Sequence, residues 1–123
     1  MIRAVLFGVL VSAPATNAAE DVWISDFSNQ VSACWSTGAM SDRAQSTTIV
    51  MAFDMRPDRR PDTGSMEMLS FDGGDAGHAA EVFRSARFAV IRCAGDGYAL
   101  PADQYEFWHR IEMTIDPMQM EQG

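Results

Sequence analysis

The sequence predicts an α+β domain: a three-stranded antiparallel sheet packed by helices, in the order α-β-β-α-β. Three observations carry the prediction. Two stretches place apolar residues at helical spacing, three others alternate apolar with polar residues, and breaks containing Gly or Pro separate them. A sheet covered by helices on one face lets every apolar stripe reach a common core.

The first helix is predicted from Asp26, a suitable N-cap, to about Thr37. Phe27, Val31, Cys34 and Trp35 then share one face, and Gly38 stops the helix. That spacing turns Cys34 toward the core. From Ser46 to Arg56 the period becomes two. Ile49, Met51, Phe53 and Met55 point one way, and Thr48, Val50, Ala52 and Asp54 the other, so this stretch is a strand. The pairs Pro57-Asp58 and Pro61-Asp62, with Gly64, mark a hairpin with a long loop. Ser65 to Phe71 returns, with Met66 and Met68 inward. Asp72-Gly73-Gly74 breaks that strand and Asp75 caps the second helix. Its stripe is Ala79, Val82, Phe83, Ala86, Val90 and Cys93, and Gly95 or Gly97 ends it. Arg92 in the last turn suits the helix dipole. Pro101 opens a helical turn through about Phe107. Ile111, Met113 and Ile115 then alternate with Glu112, Thr114 and Asp116 in a third strand, which Pro117 closes.

The start of the chain reads as an export signal. Met1, Ile2 and Arg3 give a positive start, Ala4 to Val11 an uncharged apolar run, and Ala13 to Ala19 small residues where Ala15, Ala18 or Ala19 would suit signal peptidase. A membrane-spanning helix needs roughly 20 apolar residues, about twice this run. The expectation is therefore a signal at residues 1–19, an exported domain at 20–123, and no membrane anchor after cleavage. With a formal charge of −8 and Arg as its only strongly basic residue type, the chain repels phosphate backbones and anionic lipid, which argues against nucleic acid as a partner. The two cysteines, Cys34 and Cys93, form an even count in an exported domain, which favours a disulfide over free thiols.

Each chemical motif has a plainer reading beside it. Asp72 to His78 suggests a cation or phosphate loop, yet it lacks the alternating oxygen ligands and distal Glu of one and the Gly-Lys-Ser/Thr ending of the other. A glycine turn and a helix cap account for it. His78 and His109 have no His or Cys partner at metal-ligand spacing. A nucleophile pair of Cys34 with His109 lacks a group to orient the base. Glu106 and Glu112 flank Tyr105, Phe107 and Trp108, a setting that paired-carboxylate hydrolases use; the plainer reading is solvated acids beside a sealing aromatic cluster. Met51, Met55, Met66, Met68 and Met113 offer thioethers for copper, but their inward strand positions make them core. No catalytic residue, metal or cofactor is assigned. The alternative kept open is a small exported enzyme or metal protein using His109, Glu112 or His78.

What remains is a binding edge. The last strand lies close to the C-terminus, where it can form the border of the sheet and offer backbone groups to an extended peptide. The candidate partner-binding residues are Arg110, Ile111, Glu112, Met113, Thr114, Ile115 and Asp116.

Cys34-Trp35 with Gly38-Ala39-Met40-Ser41, then Thr47 to Met55, Pro57-Asp58, Gly73-Gly74, Ala89-Val90-Ile91-Arg92-Cys93, Gly97-Tyr98, Leu100-Pro101, Tyr105, Trp108 and Ile111-Glu112-Met113-Thr114 together resemble the C-terminal domain of alphaproteobacterial TolA proteins. The resemblance covers about residues 27 to 118. It implies the TolA/TonB C-terminal fold, a periplasmic location, a disulfide at Cys34 and Cys93, and a non-catalytic role in the Tol-Pal system of envelope integrity. It also implies protein partners such as TolB, bound in some complexes by strand addition. TolA itself carries a membrane anchor and a long helical spacer. Neither is evident here, so the expectation is a free-standing module. Arg59 stands where the family's hairpin turn usually has Gly.

Overall fold

The computed structural model describes residues 18–36 and 40–118. Helix α1 (Ala18–Cys34) and the short α2 (Asp42–Gln45) precede strand β1 (Thr48–Asp54). Strand β2 (Glu67–Asp72), helix α3 (Ala76–Cys93), the short α4 (Tyr105–Trp108) and strand β3 (Arg110–Ile115) follow. The sheet order is β2-β1-β3, with both pairings antiparallel. This is the predicted α+β arrangement, α-β-β-α-β, with α2 and α4 as additional short turns.

The central strand explains the core. Ile49, Met51 and Phe53 of β1 are fully buried and pair laterally with Ile115, Met113 and Ile111 of β3. Against this inner face lie Trp23, Ile24, Phe27 and Val31 of α1 and Ala79, Val82, Ala86 and Val90 of α3. The small residues on α3 let the helix approach the sheet closely, while the larger ones on α1 fill the remaining space. Phe27 joins the layers: its ring centroid lies 4.5 Å from that of Tyr98 and 6.3 Å from that of Phe53.

Three local expectations are corrected. Helix α1 begins well before Asp26, which is an exposed position inside it. Trp23 and Ile24 add a further buried turn. Burying two such side chains contributes about 1.5–3 kcal/mol each, whereas an N-cap is worth about 1 kcal/mol, so packing decides where the helix starts. The helix also stops at Cys34; the expected stop at Gly38 lies outside the described residues, as does the export signal except for its last two positions. Cys34 is exposed rather than turned into the core. It is on the predicted stripe but in the last turn, where its sulfur joins that of Cys93 at the end of α3.

The hairpin is also less regular than predicted. Val50 pairs with Ser70 but Met51 pairs with Met68, so Leu69 is an extra residue, a β-bulge. The bulge keeps Met68 inward while Leu69 stands 47% exposed. The loop tightens through the Arg59 N–H donating to the Arg56 carbonyl at 2.9 Å, with Arg59 at φ +67°.

Between β2 and α3, the predicted cap is present: the Asp75 carboxylate accepts from the His78 backbone N–H at 2.9 Å. Gly73 has φ +89°, and a Cβ there would lie 2.7 Å from the Ser46 carbonyl oxygen. A Cβ on Gly74 would collide with the Thr47 hydroxyl. Cys34 and Cys93, the last residues of α1 and α3, form the disulfide, with Cα atoms 6.0 Å apart.

Candidate functional site

Strand β3 is one edge of the sheet and β2 is the other. The direction of its backbone groups follows from the register. The Met55 N–H donates to the His109 carbonyl at 2.7 Å, one step beyond the pair Asp54 and Arg110. Antiparallel pairs alternate between bonded and non-bonded, so Ile111, Met113 and Ile115 bond to β1. The backbone groups of Arg110 and Thr114 therefore point away from β1. Among the described residues no further strand pairs there.

The predicted site residues thus divide by role. The side chains of Ile111, Met113 and Ile115 are fully buried and hold the strand to the core. Arg110, Glu112 and Thr114 occupy the opposite face. Thr114 is buried as a whole residue, 7% exposed, so little of it is open at this edge. Asp116 accepts from the Met118 N–H at 3.2 Å, turning the chain out of the strand.

Arg110 braces the outer face. Its guanidinium donates to the Asp54 carboxylate on β1 at 3.0 Å and to Glu67 on β2 at 3.1 Å, reaching across all three strands. Hydrogen bonding to Asp54 first, and then to Glu67, raises its pKa above the usual arginine value. Ala52, paired laterally with Glu112 and Glu67, is nearly fully buried in the same ladder. The strand entry is fixed by aromatic residues. The Trp108 indole N–H donates to the Pro101 carbonyl at 2.8 Å, the Tyr105 hydroxyl donates to the Met55 carbonyl at 2.6 Å, and the two rings meet edge-on at 4.7 Å. This corner holds the backbone of β3 at a set position against β1.

The remaining chemical candidates lie elsewhere. His78 Nδ1 is 2.7 Å from the Asp75 carboxylate beside the α3 N-terminus, and the Asp75 pKa is lowered chiefly by the His78 backbone N–H. His109 is exposed next to Tyr105, and Glu106 is exposed on α4. Cys34 and Cys93 are joined and so supply no thiolate. Among the described residues no group of three or more His, Cys, Asp or Glu side chains is gathered to hold a metal ion, and no helix is long and apolar enough to cross a membrane.

Sequence reading did not find Arg110's span across the sheet, because the spacing of Asp54, Glu67 and Arg110 says nothing without the strand register. Nor did it single out Phe88, which is 63% exposed on α3. Comparison with protein-family models, curated proteins and solved structures found no match.

Proposed function

We propose that this domain is a non-catalytic protein-binding module of Tol-Pal type, acting in the periplasm in support of envelope integrity. Its β3 edge takes an extended segment of a partner such as TolB as a fourth strand. The observation that carries the reading is the outward aim of the Arg110 and Thr114 backbone groups from a strand held in place by core and aromatic contacts. Main-chain hydrogen bonds supply affinity in such an addition, and the outer-face side chains select the sequence. The Arg110 ladder gives the incoming strand a charged neighbour on that face. The disulfide suits an oxidising compartment, and the resemblance described above points to the same system.

Proline at Thr114 tests the reading. It removes an N–H that β1 does not use, so the sheet keeps its ladder while the edge loses a donor. Thr114→Pro is expected to weaken capture of TolB in a purified pull-down while retaining a cooperative urea transition. Leu69→Asp, on the opposite edge, should leave capture unchanged. Equal capture by the parent and Thr114→Pro would remove β3 as the contact.

A further inference from the structure

We propose that the outward face of α3 is a second docking surface, whose occupant is an extended acidic segment with one apolar side chain between two carboxylates. The surface lies on the helix layer, on the side turned away from the sheet, and is independent of the β3 edge.

At its centre is Phe88, 63% exposed. A lone exposed aromatic is ordinary. Here, however, Arg84 and Arg92 sit four residues before and after it, so all three side chains follow one stripe of the helix. A shallow hollow opens on each side of the ring. One is bounded by Trp35 and Arg92, the other by Met40, Glu81 and Arg84. The Trp35 indole donates to the Ser85 hydroxyl at 2.9 Å, which fixes that wall beside the disulfide.

Charge names the partner. The chain carries −8, yet three of its nine basic residues, Arg84, Arg87 and Arg92, are on this one helix. Among the described residues neither Arg84 nor Arg92 has a carboxylate at ion-pair distance. Glu81 lines the same hollow as Arg84 and feels its charge, but its carboxylate accepts from the Ser41 N–H at 2.7 Å and from the Ser41 hydroxyl at 2.8 Å, which takes up much of its hydrogen-bonding capacity. Two guanidiniums without an ion pair among the described residues thus flank an apolar contact, Arg92 the freer of the two, in a protein whose net charge repels a second copy of itself. Arginine also favours paired hydrogen bonds to carboxylates.

Spacing sets the motif. Eight helical residues separate Arg84 from Arg92, about 12 Å along the axis. In an extended peptide, residues i, i+2 and i+4 share one face and span about 13 Å. The sequence that fits is acid-x-apolar-x-acid, with the apolar side chain beside Phe88.

The test is fluorescence anisotropy at low salt with the full oxidised chain and a dye-labelled peptide, Gly-Ser-Glu-Ser-Leu-Ser-Glu-Ser-Gly. Saturable binding is expected, weakened by salt, by Glu-to-Gln replacement in the peptide, and by about tenfold or more in Phe88→Ala. Arg84→Gln and Arg92→Gln should each weaken it by a smaller factor, and Thr114→Pro should not. These side chains are exposed, and circular dichroism checks that each variant folds. No saturable binding to the parent, or equal binding to a variant combining Phe88→Ala, Arg84→Gln and Arg92→Gln, would overturn the proposal. So would a Phe88-dependent dimer in sedimentation, which would make a second copy the occupant, or tighter binding of an oligonucleotide of equal charge.

Discussion

Replacing Cys34 and Cys93 by Ser is expected to cost about 4 kcal/mol, almost all of it through the unfolded chain. The bond spans a sequence separation of 59. For a loop of about 60 residues, the chain-entropy relation gives a loss of about 14 cal/mol/K, or about 4 kcal/mol at 25 °C. The folded state should contribute little to the difference. Cys34 is exposed and Cys93 only partly buried, so serine opens no sealed cavity at either position. The Cα separation of 6.0 Å falls within the usual range, so the helices need not move to make the bond. The assay is urea unfolding followed by circular dichroism. With a slope of about 1.5 kcal/mol/M, the midpoint should fall by about 3 M. The slope itself should rise, because the uncrosslinked unfolded chain exposes more surface. A loss below about 1 kcal/mol with an unchanged slope would refute the reasoning, since the bond would then not be restricting the unfolded ensemble. Against a typical total of about 5–15 kcal/mol, the expected loss decides whether the domain stays folded.

Gly74→Ala should destabilise by about 1–3 kcal/mol, since the new methyl meets the Thr47 hydroxyl, itself held by donation to the Arg43 carbonyl at 2.7 Å. The same change in a Thr47→Ala background should cost less, and a double-mutant cycle in urea that shows simple additivity would exclude that collision. Arg59→Gly should raise stability by at most about 1 kcal/mol: relief of a left-handed conformation worth about 1–2 kcal/mol is partly offset by the greater freedom of unfolded glycine. A lowered melting temperature would contradict this account. Asp75, its pKa lowered from 3.8 chiefly by the His78 backbone N–H, binds its proton less readily folded than unfolded. Its contribution is therefore present above the unfolded value and lost as pH falls through the lower folded one. Asp75→Asn, which keeps a capping oxygen, should show a shallower loss of stability on acidification; identical acid limbs in the two proteins would assign that loss to other groups.

The strands and the second helix were legible because local chemistry and tertiary packing agree there. The alternation from Ile49 to Met55 marks one face of β1, and all four inward residues are buried. Asp75 and the two preceding glycines mark the start of α3, where the turn and the cap leave few alternatives. The first helix was less legible. Asp26 is a good local start signal, but the burial of Trp23 and Ile24 is worth more than a cap, and that burial exists only once the sheet is formed. The bulge at Leu69 was hidden for a related reason: it is a property of two paired strands, and one strand's alternation does not disclose it.

The candidate site divides along the same line. The inward residues of β3 were readable as an apolar alternation, and its place close to the C-terminus suggested an edge. Which amides face outward required the pairing with β1, because a shift of one residue reverses every group. Arg110's reach to Asp54 and Glu67 likewise depends on register across three strands. The α3 face shows the limit most clearly, since Arg84, Phe88 and Arg92 are evenly spaced in the sequence, yet only the fold shows that Glu81 is already engaged by Ser41. By itself the sequence determined periods, turns and the cysteine count, all governed by neighbours along the chain. Tertiary structure alone decided helix limits, outward backbone groups and which charges find a partner, because these depend on residues brought together only by folding.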